Sequence, residues 1–341
     1  MDRRPHRLAT ALVAGVVVLV VGAAVGASLA DDGGGSPASS ATTAATAVTT
    51  LADTGLGGVL RLPPPVPRAF SGTLVWNRID CTTGTLDLAT GAAAEGLPAR
   101  ACSIWPAADG GALAFTRDVG PGASALRVLV RQTGRVIAGP ARGGTTAVAG
   151  DGTVATCGAS QVVEQRPAGA RRTLPGCGPG YLAGRLVRIT SDEQRAVDDR
   201  GRTVVPPSKG TIRLLAAAGN QVAVLRAAAA AGGTIEVWRD GRLDGRVEMG
   251  RSGQPSDLRI SRDGATALVR LHGPQEWALY RTRRAGSLAV IGREGLREGA
   301  FSPDGRYVAV VVESGIVIVD ARRLAPVASF AADAKELAWL A

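Results

Sequence analysis

The sequence predicts an all-β protein, a seven-bladed β-propeller set behind an N-terminal transmembrane helix. Three observations carry that expectation: turn signals recur about every 39 residues from residue 70 onward, each interval holds strand-like runs in the same order, and a surplus strand at one end matches a missing one at the other. A six- or eight-bladed ring is the alternative count. At 341 residues the chain can bury a core, and closed all-β folds of more than about 200 residues are commonly single domains.

The first seven residues, MDRRPHR, carry three Arg and one Asp, and the 23 residues Leu8 to Ala30 carry no charge. About 20 apolar residues at 1.5 Å rise cross a hydrocarbon core, so residues 8–30 are expected to form a signal anchor. The basic flank precedes this segment and Asp31-Asp32 follow it. The positive-inside bias therefore leaves residues 1–7 in the cytosol and the rest outside, so the expected location is the cytoplasmic membrane, single-pass, with the C-terminal domain extracytoplasmic. Ser28-Leu29-Ala30 also resembles a small-x-small cleavage site, and secretion after cleavage near Ala30 is the alternative. The apolar stretch is longer than a usual signal-peptide core, which favours retention.

Residues 31–69 are rich in Ser, Thr, Ala and Pro. Such a segment cannot bury enough surface to offset chain entropy and is expected to be a disordered linker, stiffened toward polyproline II at Pro63-Pro64-Pro65 and Pro67. Residues 70–341 then form the propeller.

The most legible part of that body is Gly299 to Asp320, GAFSPDGRYVAVVVESGIVIVD. Pro303 pre-sets a turn φ, Asp304 can bond local backbone and Gly305 tolerates φ > 0, while Tyr307 to Val312 and Ile316 to Val319 are apolar, β-branched runs suited to strands covered on both faces. Ile260-Ser261-Arg262-Asp263-Gly264 is a close copy. Weaker copies place turn markers at residues 72, 110, 152, 184 and 220, ahead of those at 264 and 305, with gaps of 38, 42, 32, 36, 44 and 41. After each marker comes a second strand (Leu113 to Thr116, Val222 to Leu225, Leu268 to Leu271), then a third (Leu126 to Val130, Ile235 to Trp238, Trp277 to Tyr280) and a fourth (Val247 to Met249, Leu288 to Ile291). Phe70-Ser71-Gly72 lacks a first strand before it, and Glu336 to Ala341 is a strand-like run with no successor. Pairing the two closes the ring and leaves no open sheet edge at the seam.

FSPDGRYVAVV and ISRDGATALVR resemble the repeats of TolB-like and WD-repeat-like propellers, in which an apolar residue precedes S-x-D-G between the first two strands of a blade. The clear resemblance spans two blades. It implies a rigid disc presenting loops to partners, and it brings no fixed catalytic residues.

Four cysteines in an exported domain point to disulfides, with three possible connectivities. Cys81 and Cys157 fall between second and third strands, and Cys102 and Cys177 fall near the start of the next first strand, so Cys81 with Cys102 and Cys157 with Cys177 can each staple adjacent blades. A four-cysteine zinc site would need a close pair such as C-x-x-C, which this spacing lacks.

Nucleophile-base-orienter sets are not visible. The histidines are His6, on the cytosolic side, and His272, read as a solvated loop residue in Leu271-His272-Gly273-Pro274. There is no Walker-type loop, and the glycines fall at strand-strand turns, so no cofactor, metal or catalytic residue is expected. The net charge of +10 comes from scattered Arg with no aromatic-laced stripe, which speaks against nucleic acid as a partner. Two functions remain. The preferred one is a monomeric, membrane-anchored extracytoplasmic scaffold that binds a protein or envelope polymer. The alternative is an exported glycosidase-like hydrolase using loop carboxylates at the channel mouth, drawn from Asp80, Asp118, Asp192, Glu193, Glu276 and Glu313. On the opposite face, Arg281, Arg283 and Arg284 could meet an anionic polymer or other partner.

Overall fold

Apolar runs flanked by glycine turns fold here into seven sheets, five of them four-stranded and antiparallel, each packed against its neighbours. The computed structural model describes residues 48–51, 70–120, 123–140, 144–227, 233–249, 254–272, 276–283, 288–291, 298–312, 315–323 and 325–341. The expected cytosolic tail, transmembrane segment, Ala30 cleavage site and most of the linker lie outside the described residues. Among the described residues, no helix is long and apolar enough to cross a membrane.

A strand β1 (Val48–Leu51) comes first, and blade 1 then contributes β2 (Thr73–Asn77) and β3 (Thr83–Asp87). Blade 2 is β4 (Ser103–Pro106), β5 (Ala112–Gly120), β6 (Ala123–Val130) and β7 (Arg135–Ala138). Blade 3 is β8 (Thr146–Val148), β9 (Val154–Gly158), β10 (Gln161–Gln165) and β11 (Arg171–Pro175). Blade 4 is β12 (Cys177–Leu182), β13 (Arg185–Ile189), β14 (Ala196–Asp198) and β15 (Thr203–Val205). Blade 5 is β16 (Thr211–Ala218), β17 (Gln221–Ala227), β18 (Gly233–Arg239) and β19 (Arg242–Met249). Blade 6 is β20 (Gln254–Ile260), β21 (Thr266–His272), β22 (Glu276–Arg281) and β23 (Leu288–Ile291). Blade 7 is β24 (Gly299–Phe301), β25 (Tyr307–Val312), β26 (Gly315–Asp320) and β27 (Ala325–Phe330). The final strand β28 (Glu336–Leu340) pairs antiparallel with β2, Leu340 opposite Thr73 and Glu336 opposite Asn77, and so supplies the innermost strand of blade 1.

Seven buried apolar clusters occupy the seams between consecutive blades, one for each neighbouring pair including 7 with 1. At the closing seam Leu74 and Trp76 of β2 and Leu337 and Trp339 of β28 pack on Tyr307, Ala309 and Ile318 of blade 7. This is why the strands read as continuous apolar runs: both faces of each sheet are interior. Buried charge is paired at the seams. Arg226 lies 2.9 Å from Glu236 and donates to the carbonyls of Gln194, Pro206 and Gly210, tying blade 5 to blade 4.

The repeated turn has one construction. Ser302 Oγ accepts from Tyr307 N at 2.9 Å and donates to Asp304, which accepts from Arg306 N at 3.0 Å. Ser261, Asp263, Ala265 and Thr266 repeat the arrangement in blade 6. Gly305 takes φ 74°, and a Cβ there would come within 2.9 Å of Arg262 N in the neighbouring blade. The motif therefore serves the turn and the fit between blades.

Three local readings need adjustment. The marker of the fifth turn is Gly219 (φ 58°), one residue before Asn220. Blade 1 has three strands among the described residues: residues 88–101 carry Gly91, Gly96 and Pro98 and a single β-branched residue, Thr90, and they cover β3 irregularly through Asp87 N to Ala92 O and Thr83 N to Ala99 O. Val48–Leu51, inside the expected linker, pairs in parallel with β23, adding a strand to the outer edge of blade 6.

Candidate functional site

The first strands of the blades surround a central channel of about 870 Å³. Because alternate residues of a strand share a face, β20 turns Asp257 and Arg259 the same way. Arg270 of β21 stands opposite Asp257 in register, and Trp277 of β22 stands opposite Arg270. Glu298, just before β24, and Glu336, the first residue of β28, complete a charged wall where blades 6, 7 and 1 meet the channel.

Arg259 is the hub of that wall. Its Nε donates to Asp257 at 3.1 Å, its Nη2 to Glu298 and its Nη1 to the Gly299 carbonyl, and its guanidinium lies 5.7 Å over the Trp277 ring. Asp257 also accepts from Leu258 N at 2.8 Å. Glu336 accepts from Ile104 N at 2.8 Å and Asn77 Nδ2 at 3.2 Å, with Lys335 at 3.7 Å. Burial pushes the Glu298 carboxyl up to about 7; Arg259 and, more weakly, Arg270 oppose this, while Asp257 and Glu336 reinforce it. Arg270 is half-buried, lines the channel and makes no hydrogen bond or ion pair among the described residues. The hydroxyls of Thr146 and Ser256, on residues that also line the channel, are buried without a hydrogen-bond partner. Among the described residues no group of three or more His, Cys, Asp or Glu is placed to hold a metal ion.

The cysteines pair as Cys81–Cys102 and Cys157–Cys177, with Cα separations of 4.3 and 5.3 Å. The first joins blades 1 and 2 and the second blades 3 and 4. Cys157 sits within β9 and not in the loop after it.

Three of the described loop carboxylates, Asp80, Asp192 and Glu193, are engaged by local partners. Asp80 accepts from Thr82 N and Oγ1 at 3.0 and 2.6 Å, bonds that hold its carboxyl below the usual range. Asp192 is likewise lowered, by bonds from Thr190 and Gln194 N. Asp118 is exposed on β5, and Glu193 pairs with Arg213 at 3.1 Å at the channel rim. Glu276 begins β22, and Glu313 lies outside the described residues. His272 ends strand β21, so the expected loop starts after it. Arg281 donates to the Arg322 carbonyl and Arg283 to Asp244 at 2.7 Å, so both are engaged with adjacent blades; Arg284 lies outside the described residues.

The channel-wall residues that loop reasoning missed do leave a signal. Arg213, Asp257, Glu298 and Glu336 follow one another at 44, 41 and 38 residues, the blade period, at the start of successive first strands. Arg259 and Arg270 each interrupt an apolar run, Leu258-Arg259-Ile260 and Val269-Arg270-Leu271. A charge inside a strand with two buried faces must point at a partner or a cavity.

No protein-family model matches the chain, and no curated protein matches it in sequence. Solved structures similar to it include TolB from Acinetobacter baumannii, 14% identical over 82% of this chain and 68% of that one, with a TM-score of 0.48. AztD from Citrobacter koseri is 12% identical over 77% and 83% of the two chains, and Kuenenia stuttgartiensis hydrazine synthase is 14% identical over 67% and 85%, both with TM-scores of 0.48. These are likenesses of fold; the seven-bladed assignment itself rests on the sheet order and the seven interblade cores.

Proposed function

We propose that the protein is a membrane-tethered extracytoplasmic propeller that binds a protein or envelope-polymer partner over the face where the first strands begin. The observation that carries this reading is the channel mouth, an open concavity where Arg259 holds Asp257 and Glu298 in place on a closed ring of blades. Fixed charges that need no rearrangement favour recognition, because little ordering has to be done on association. The two disulfides support an oxidising compartment, and both staple the same face of the disc. The uncharged stretch from Leu8 to Ala30 supports the tether.

A hydrolase would draw on Glu298, held toward neutrality as a general acid is, with Asp257 as its counterpart. Arg259 engages both carboxylates at once, which supports binding over catalysis.

The test is in-cell cross-linking followed by purification from membranes, comparing the full chain with one that ends before residue 70. Expected is a partner enriched at least tenfold with the propeller present. Equal recovery from both chains would refute the scaffold. Protease added to intact cells should remove a C-terminal tag, and a protected tag would overturn the topology.

A further inference from the structure

Among the described residues, Arg270 is the charged group of this wall that makes no hydrogen bond or ion pair; its charge acts on Glu298 only through space. Asp257 and Glu298 share Arg259, and Glu336 is satisfied by Asn77, the Ile104 amide and Lys335. A half-buried guanidinium on the wall of an open channel keeps its donors free for solvent or for a ligand's acceptors.

We propose that the blade 6 side of the channel binds a small ligand through a single carboxylate group, taken by the Arg270 guanidinium. The inference deepens the binding reading above and rests on it. The planar fork of an arginine matches the two oxygens of a carboxylate, giving two parallel charge-assisted hydrogen bonds. The surroundings choose between anions. With Asp257, Glu298 and Glu336 on the same wall, a doubly charged phosphate meets more repulsion than a singly charged carboxylate does. The cavity of about 870 Å³ accommodates a molecule of metabolite or short-peptide size. The Ser256 hydroxyl, next to Asp257 on β20, is buried without a hydrogen-bond partner among the described residues, so this side of the channel holds a second unused polar group.

The test uses the full chain in detergent micelles and three probes: N-acetylglycine, its neutral amide, and inorganic phosphate. Dissociation constants come from ligand-observed NMR at fixed ionic strength. Expected is saturable binding of N-acetylglycine, at least tenfold weaker binding of the amide and of phosphate, and at least tenfold weaker N-acetylglycine binding to Arg270→Gln. Should that variant fail to fold, Arg270→Lys is read in its place. It should bind at least threefold more weakly, because an ammonium cannot engage both oxygens in the fork geometry. Absence of saturable binding to the wild type, equal binding of the amide, tighter binding of phosphate, or unchanged affinity in the variant read would each overturn the proposal. Partner capture from membranes without saturable binding of N-acetylglycine to the wild type would leave the scaffold standing while the carboxylate site fell. Probe binding without any partner captured would do the reverse.

Discussion

Glu298 shows how a single residue in this ring carries a pH signature. Its carboxyl ionises near 4.5 when solvated and is pushed up to about 7 in the fold, chiefly by burial. A raised carboxyl pKa means that folding favours the protonated form. The stability this contributes is complete below about pH 4.5 and is lost as pH rises through about 7. The melting temperature should therefore fall between about pH 5 and pH 8, and Glu298→Gln should flatten that part of the profile. Parallel slopes for wild type and variant in thermal unfolding would remove the argument. The carboxyls of Asp80, Asp87 and Asp192 are held below their usual value, so their contributions are lost only in more acid solution and do not mask the effect. At this scale the turn residues were readable from the chain: Ser302, Asp304 and Gly305 act within five residues of one another. Glu298 was not, because its environment is made by Arg259 and by Glu336, 39 and 38 residues away.

Among the elements, β28 decides whether the ring exists. It pairs along its full length with β2 and buries Leu337, Trp339 and Leu340, each 2% exposed or less. Burying three large apolar side chains is worth on the order of 5–8 kcal/mol, as much as the net stability of many domains. A chain ending at Lys335 should therefore fail to give a stable monomer, and it would expose the edge of β2 to pairing between molecules. Size exclusion and circular dichroism test this, and a folded monomer from the shortened chain would contradict it. Gly72, the first turn marker, belongs to the same closure: at φ 94° a Cβ would come within 2.2 Å of the Leu340 carbonyl. The fourth strand of blade 1 was the misleading element, since the period promised it while Gly91, Gly96 and Pro98 prevented it.

The blades form a ring of near-equivalent sheets whose seams are apolar and whose first strands define one axis. Disulfides clip two of those seams, blades 1 to 2 and 3 to 4, each closing a loop of 21 or 20 residues. A loop of that length corresponds to about 3 kcal/mol in the chain-entropy account. Replacing either pair by Ala should lower stability by about that amount in denaturant unfolding, with little change in the far-ultraviolet spectrum. A loss below about 0.5 kcal/mol would show that the staples do not constrain the unfolded chain. Blade number, closure and cysteine pairing were written into the sequence by short-range chemistry: a Gly or Asp every turn, apolar runs between, and a period that fixes which loops share a face. The charged channel wall could be decided only by the closed ring. Asp257, Arg259, Arg270, Glu298 and Glu336 come from three blades, and their distances, burial and unequal pairing depend on how those blades lean together around the axis. Local propensity carries no information about that arrangement, because it acts over a few residues and the wall is assembled across 80.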